Sequence, residues 1–128
     1  MKEIKTQDWN TFCQRLNEFE RGATVDILWI DRATNAERPV VREAEFEQIS
    51  YGPRDGCNDQ IVIRAGERGR ETRHEITEPI HILLRESSGG SGTYNGVAVE
   101  AEEGTTILAF RSGIRPDWLK GMGLQGAV

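Results

Sequence analysis

The stretch Trp9-Asn10-Thr11-Phe12-Cys13-Gln14-Arg15-Leu16-Asn17-Glu18-Phe19-Glu20-Arg21-Gly22-Ala23-Thr24-Val25-Asp26-Ile27-Leu28-Trp29 changes its hydrophobic period half-way along. Trp9, Phe12, Leu16 and Phe19 recur at alternating three- and four-residue intervals, which sets them on one stripe of a helix. Cys13 lies beside that stripe, and Gln14, Arg15, Asn17, Glu18 and Glu20 are assigned to the wet face. The helix is expected from about Asp8 to Arg21, with Thr6 or Asp8 capping its start and Gly22 left-handed at its end. Beyond Gly22 the period becomes two. Val25, Ile27 and Trp29 alternate with Thr24, Asp26 and Leu28, as along a strand.

That rhythm continues to the C-terminal region. Val40 to Tyr51 reads as a second strand with Ala44 and Phe46 on one face and Glu43, Glu45 and Glu47 on the other. Ile61, Ile63 and Ala65 mark a third, and Thr72, His74 and Ile76 a fourth. Pro79 breaks the ladder because it has no amide hydrogen, and Ile80, Ile82 and Leu84 resume it. Val97, Val99 and Ala101 and then Thr106, Leu108 and Phe110 follow, joined by a tight turn at Glu102-Glu103-Gly104. Ser87-Ser88-Gly89-Gly90-Ser91-Gly92 reads as a loop.

The expected fold is therefore mainly β (α+β by content). An N-terminal amphipathic helix packs on an antiparallel meander of about six or seven strands, and a small barrel is preferred over a sandwich. Its interior is expected to be plain hydrocarbon under the Trp9 stripe. Residues 1–112 form one domain, and residues 113–128 form an apolar, glycine-rich tail.

The chain has 128 residues and a net charge of -5, with no apolar run near the ~20 residues a spanning helix requires. A net acidic chain needs a local basic patch to hold phosphates, so nucleic acid and anionic membrane surfaces are disfavoured as partners. The start, Met1-Lys2-Glu3-Ile4-Lys5-Thr6, lacks the apolar core of a signal peptide. Cys13 and Cys57 are the two cysteines and are read as free thiols, which places the chain in the cytoplasm.

Several pieces of the chain match one pattern. These are Ile4 with Asp8-Trp9 and Phe12, Phe19 before Gly22 and Val25, Asp59-Gln60-Ile61-Val62-Ile63, His74-Glu75-Ile76 before Pro79, and Gly104-Thr105-Thr106-Ile107-Leu108 leading into Phe110-Arg111. In these the chain resembles an uncharacterised bacterial family of short proteins, known as a domain of unknown function. The resemblance runs from Ile4 to about Pro116. It implies an N-terminal helix and a β-rich body, and it assigns no activity, cofactor or site residue. The glycine-serine loop and the tail depart from it.

The candidate sites each have a plainer explanation. Cys57 sits in a polar loop, but an active thiol needs a base or a positive field, and Asp55 and Asp59 oppose Arg54 there. His74 and His81 are the only histidines, too few for a zinc site without further ligands. His74 shares a face with Thr72 and Ile76, which points to a half-buried, hydrogen-bonded ring. Arg64, Arg68, Arg70 and Arg73 cluster on one hairpin, interleaved with Glu67, Glu71 and Glu75, and Glu43, Glu45 and Glu47 are expected across the sheet from Arg64. Trp118, Leu119, Met122 and Leu124 need cover, from this chain or from a second copy.

No catalytic, metal or cofactor set emerges. The expected function is a non-catalytic binding or protein-interaction module, self-associating through the tail or a sheet edge or engaging another protein. The alternatives are a small-barrel nucleic-acid binder centred on the arginines, and a small enzyme using Cys57 or His74.

Overall fold

Helix α1 spans Trp9–Glu20, within a residue or so of the expected limits, and follows a 3-10 turn at Thr6–Asp8. Asp8 stands at the cap position, but its side chain makes no capping bond. Gly22 takes φ 88, the left-handed conformation that ends the helix. A computed structural model describes residues 2–53, 59–67, 69–86, 94–114 and 124–126.

The docked face differs from the expected stripe at its C-terminal end. Trp9, Phe12, Cys13 and Leu16 are buried, but Phe19 is 56% exposed while Glu20 is only 7% exposed. At 100° per residue Glu20 falls within about 20° of Trp9, whereas Phe19 lies about 80° away on the flank. Burial raises the Glu20 carboxyl pKa, and it pushes the Cys13 thiol up to about 12. The thiolate of Cys13 is thus unavailable for chemistry.

Strands β2 (Thr24–Asp31), β3 (Glu37–Pro53), β4 (Asp59–Glu67), β5 (Arg70–Thr77), β6 (Pro79–Glu86), β7 (Tyr94–Ala101) and β8 (Gly104–Ile114) occupy the seven places the alternation marks. Two short strands were not foreseen, β1 (Lys2–Ile4) and β9 (Leu124–Gly126). All are antiparallel in one sheet of nine, ordered β5-β4-β3-β2-β8-β7-β6-β1-β9.

The barrel expectation needs correcting. The sheet coils on itself but stays open, with β5 and β9 as its edges. The coiling originates in β3. Its first half pairs with β2 over Glu37 to Glu45, and its second half pairs with β4 over Glu45 to Pro53. The register slips at Val25/Ile27, Ile27/Leu28 and Phe46/Gln48, and Glu43 takes φ 51. Such bulges bend a strand sharply, so β3 carries the chain from one layer to the other. Closure would need a ladder between β5 and the other edge. Instead β5 presents Arg70, Glu71, Arg73 and Glu75 as exposed residues, the usual protection of an edge.

The helix does not plug a barrel end. It continues the sheet along the bent half of β3, on the side β2 has left. Asn17 donates through Nδ2 to the Ile49 carbonyl (2.9 Å) and accepts from the Ile49 amide through Oδ1 (2.7 Å). Arg21 Nε donates to the Glu47 carbonyl (3.3 Å), and Gly22 and Ala23 exchange backbone bonds with Phe46 (2.8 Å each). Asn17 is therefore an edge-pairing residue rather than a wet-face one. Trp9 closes the corner, its Nε1 donating to the Ile4 carbonyl (3.0 Å) and its ring meeting Tyr51 edge-on at 5.2 Å.

The core lies between the two layers and the helix. Val25, Ile27, Val97, Val99, Leu108 and Phe110 face Phe46, Ile49, Ile61, Ile63 and Ile76, with Phe12 and Leu16 above.

Candidate functional site

At the end of β2 remote from α1, the interior stops being hydrocarbon. Direct strand partners share a face, and Arg38, Trp29, Thr106 and Val99 form one row across β3, β2, β8 and β7. The row continues the buried face of Val25 and Ile27. Thr106 is fully buried. His74 reaches it from β5, on the opposite layer, with Nε2 2.8 Å from Thr106 Oγ1. The Trp29 indole stands beside the imidazole, ring centroids 6.0 Å apart and planes tilted by 59°. The interior is thus not purely apolar, because the coiled sheet lays β5 over β8.

Two turns frame this polar end. In the β2–β3 turn, Asp31 Oδ1 accepts from the amides of Ala33 (2.9 Å) and Thr34 (3.1 Å) and lies 3.3 Å from the Thr34 hydroxyl. The Arg32 amide donates to the Glu103 carbonyl (3.0 Å), tying this turn to the β7–β8 turn. Gly104 lets the two approach. A Cβ there would clash with the Ile30 carbonyl and stand 2.6 Å from Trp29 Cζ2. The result is an open cleft of about 860 Å³ lined by Trp29, Asp31, Arg32, Ala33, Arg38, His74, Glu75, Glu102 and Glu103. That volume lies within the range of small-molecule sites, and an aromatic wall with a few converging polar groups is their usual lining.

Burial lowers the His74 pKa, and the Arg38 charge lowers it further, so the ring is neutral at physiological pH. The sign of the linkage follows. Below the ordinary value of 6.5 the unfolded chain binds a proton that the folded chain excludes. Stability is therefore full above that value and is expected to fall as pH drops below it. Urea unfolding at about pH 7 and about pH 5.5 should show this loss, and His74→Phe should flatten that part of the profile.

The other candidates do not converge here. His81 lies on the outer face with Nδ1 2.8 Å from Glu3 Oε2, on β1. Arg64 pairs with Glu71 (3.8 Å) and Arg73 with Glu75 (3.0 Å), rather than with the β3 glutamates. Glu43 instead meets Arg111 (3.2 Å), which also holds Asp26 (3.2 Å), because the β3 bulge turns it that way. Arg70 is exposed on β5. Leu124 lies in β9, opposite Ile4. Cys57, Arg68, Trp118, Leu119 and Met122 lie outside the described residues. Among the described residues no three of His, Cys, Asp and Glu are placed to hold a metal ion, and no helix is long and apolar enough to cross a membrane.

Sequence reasoning passed over Trp29, Arg38 and Thr106. The signal was a polar residue at an inward position of β8, matched by His74 at an inward position of β5.

The fold and cleft define a class: a small, open, coiled antiparallel sheet, flanked along its bent third strand by one helix, with a polar-floored cleft at its far end. The chain belongs to the family of unknown function DUF5335, whose family model matches residues 1–117. No curated protein and no solved structure matches it.

Proposed function

We propose that the chain is a non-catalytic binding module that takes a small polar ligand in the cleft between Trp29 and His74. The observation that carries this reading is the half-buried His74 ring, held by the buried Thr106 hydroxyl and lining a cleft open to solvent through an aromatic and charged mouth. A hydroxyl bonded to an imidazole suggests nucleophilic catalysis. Thr106 is fully buried, however, so no reacting carbon could reach its oxygen. Pairing of Arg64 and Arg73 with Glu71 and Glu75 leaves little basic surface for nucleic acid.

The reading assigns the ligand to the cleft rather than to the tail or a sheet edge. Leu124–Gly126 pair with β1 of the same chain, and the β5 edge is lined with charge. We also read the protein as cytoplasmic, on the free, buried Cys13 thiol.

The test is a small-molecule screen by thermal shift and by NMR of the Trp29 indole and His74 ring. A ligand at a hundred times its Kd should stabilise the fold by about 2.7 kcal/mol. Trp29→Ala, which removes one wall, should weaken binding at least tenfold, since burying a large side chain contributes about 1.5–3 kcal/mol. Hits that bind equally well to Trp29→Ala, or that leave both rings unperturbed, place the ligand elsewhere and end the proposal.

A further inference from the structure

The outer face of the sheet, turned away from the core, carries a second concavity that shares no residue with the cleft at Trp29 and His74. Pro39, Leu28 and Ile107 are direct partners across β3, β2 and β8, so they form one apolar row on that face. Pro39 is exposed, and Leu28 and Ile107 are half-buried. Toward the helix the next row is Asp26, Ala109, Gly96 and Arg85, with only small groups over β8 and β7. The face sinks there into a groove of about 400 Å³.

Its charges do not balance. The lining holds one acid, Asp26, and three arginines, Arg42, Arg85 and Arg111. Asp26 is engaged through both oxygens, Oδ1 accepting from the Glu43 amide (2.7 Å) and Oδ2 from Arg111 Nε (3.2 Å). Arg111 also holds the Glu43 carboxylate (3.2 Å). Arg42 and Arg85 make no ion pair among the described residues. The neighbouring acids lie elsewhere. Glu45 Oε1 stands at Gly22, 3.7 Å from where a Cβ would be, and Glu86 pairs with Tyr94, a residue of the core side. Glu37 and Glu100 are two rows further along the strands, about 13 Å away. The groove is thus cationic in a chain of net charge -5.

An anion is the complement of Arg42 and Arg85, and guanidinium groups hold carboxylates through charge-assisted hydrogen bonds. The apolar row beside them suits a hydrocarbon body. No aromatic side chain lines the groove, so a nucleotide base would have nothing to stack on. Its size fits one small molecule rather than a bilayer, whose anionic surface would repel an acidic chain. We propose that this outer groove binds a small carboxylate with an apolar body, of the medium-chain fatty-acid type. The carboxylate lies against Arg42 and Arg85, and the hydrocarbon along Leu28, Ile107 and Pro39.

Octanoate, octylammonium and 1-octanol share one chain and differ in charge, and acetate has the charge without the chain. Each is titrated into the full-length protein while the methyl signals of Leu28, Ile107 and Ala109 are followed by NMR. Octanoate should bind at least tenfold more tightly than any of the other three. Arg42→Gln and Arg85→Gln should each weaken it severalfold, and together bring it down to the affinity of 1-octanol. Unchanged circular dichroism and urea midpoints will show that these variants fold. Equal binding of any other probe at the same methyls would overturn the proposal, because the groove would then not select an apolar anion. Binding to phosphatidylglycerol vesicles without binding of free octanoate would overturn it too, making this face a membrane contact. Methyl signals that octanoate leaves unmoved end it outright, whatever the Trp29–His74 cleft binds.

Discussion

Replacing Phe46 by alanine is expected to destabilise the fold by about 3–5 kcal/mol, the usual range for emptying a buried phenylalanine site. Phe46 is fully buried and meets Phe110 edge-on, with centroids 5.3 Å apart and planes at 79°. It stands where β3 bends. Its amide and carbonyl are bound to Ala23 and Gly22, its ring packs on β8, and the register slips just after it. Such a position cannot collapse to fill the void, because the helix end, β3 and β8 are all held by backbone bonds. Typical domains have only about 5–15 kcal/mol in hand, so the variant should unfold at a much lower urea concentration. Phe46→Leu, closer in volume, should lose less than half as much. A cost near 1 kcal/mol for Phe46→Ala would show that the bend is held elsewhere.

The second large effect belongs to Asn17. Removing its carboxamide leaves the Ile49 amide and carbonyl unpaired in a partly buried place, and each such group costs about 1–3 kcal/mol. Asn17→Ala should therefore destabilise by at least about 2 kcal/mol. Asn17→Asp should be no better, because a carboxylate can accept from the amide but sets a second oxygen against the carbonyl. Native-state hydrogen exchange separates this mechanism from general loosening. The Ile49 amide should lose its protection selectively, while amides of β7 and β8 keep theirs until global unfolding. Uniform loss across the sheet would mean that Asn17 is simply a packing residue.

These two positions also show how far the sequence could be read. Phe46 sits at an inward place of an alternating strand, so its burial was legible from the chain alone. Asn17 was not, because nothing local distinguishes an asparagine facing water from one paired to a strand edge. Phe19 and Glu20 are a different case: the helical angle alone sets Glu20 over Trp9 and Phe19 on the flank, and the apolar character of Phe19 outweighed that angle in the reading. The short strands Lys2–Ile4 and Leu124–Gly126 were missed because three residues carry no period.

Period and punctuation, both properties of neighbouring residues, were sufficient to set out one amphipathic helix, seven alternating strands and the turns between them. They could not fix how far the sheet coils or that it stays open, since that depends on bulges whose bend accumulates through β3 and on where along β3 the helix docks. They also could not reveal the cleft. His74 and Thr106 are 32 residues apart and belong to strands that do not pair. Only the coiling of the sheet brings imidazole, hydroxyl and indole together, because one layer must cross over the other before a polar group on each can find its partner.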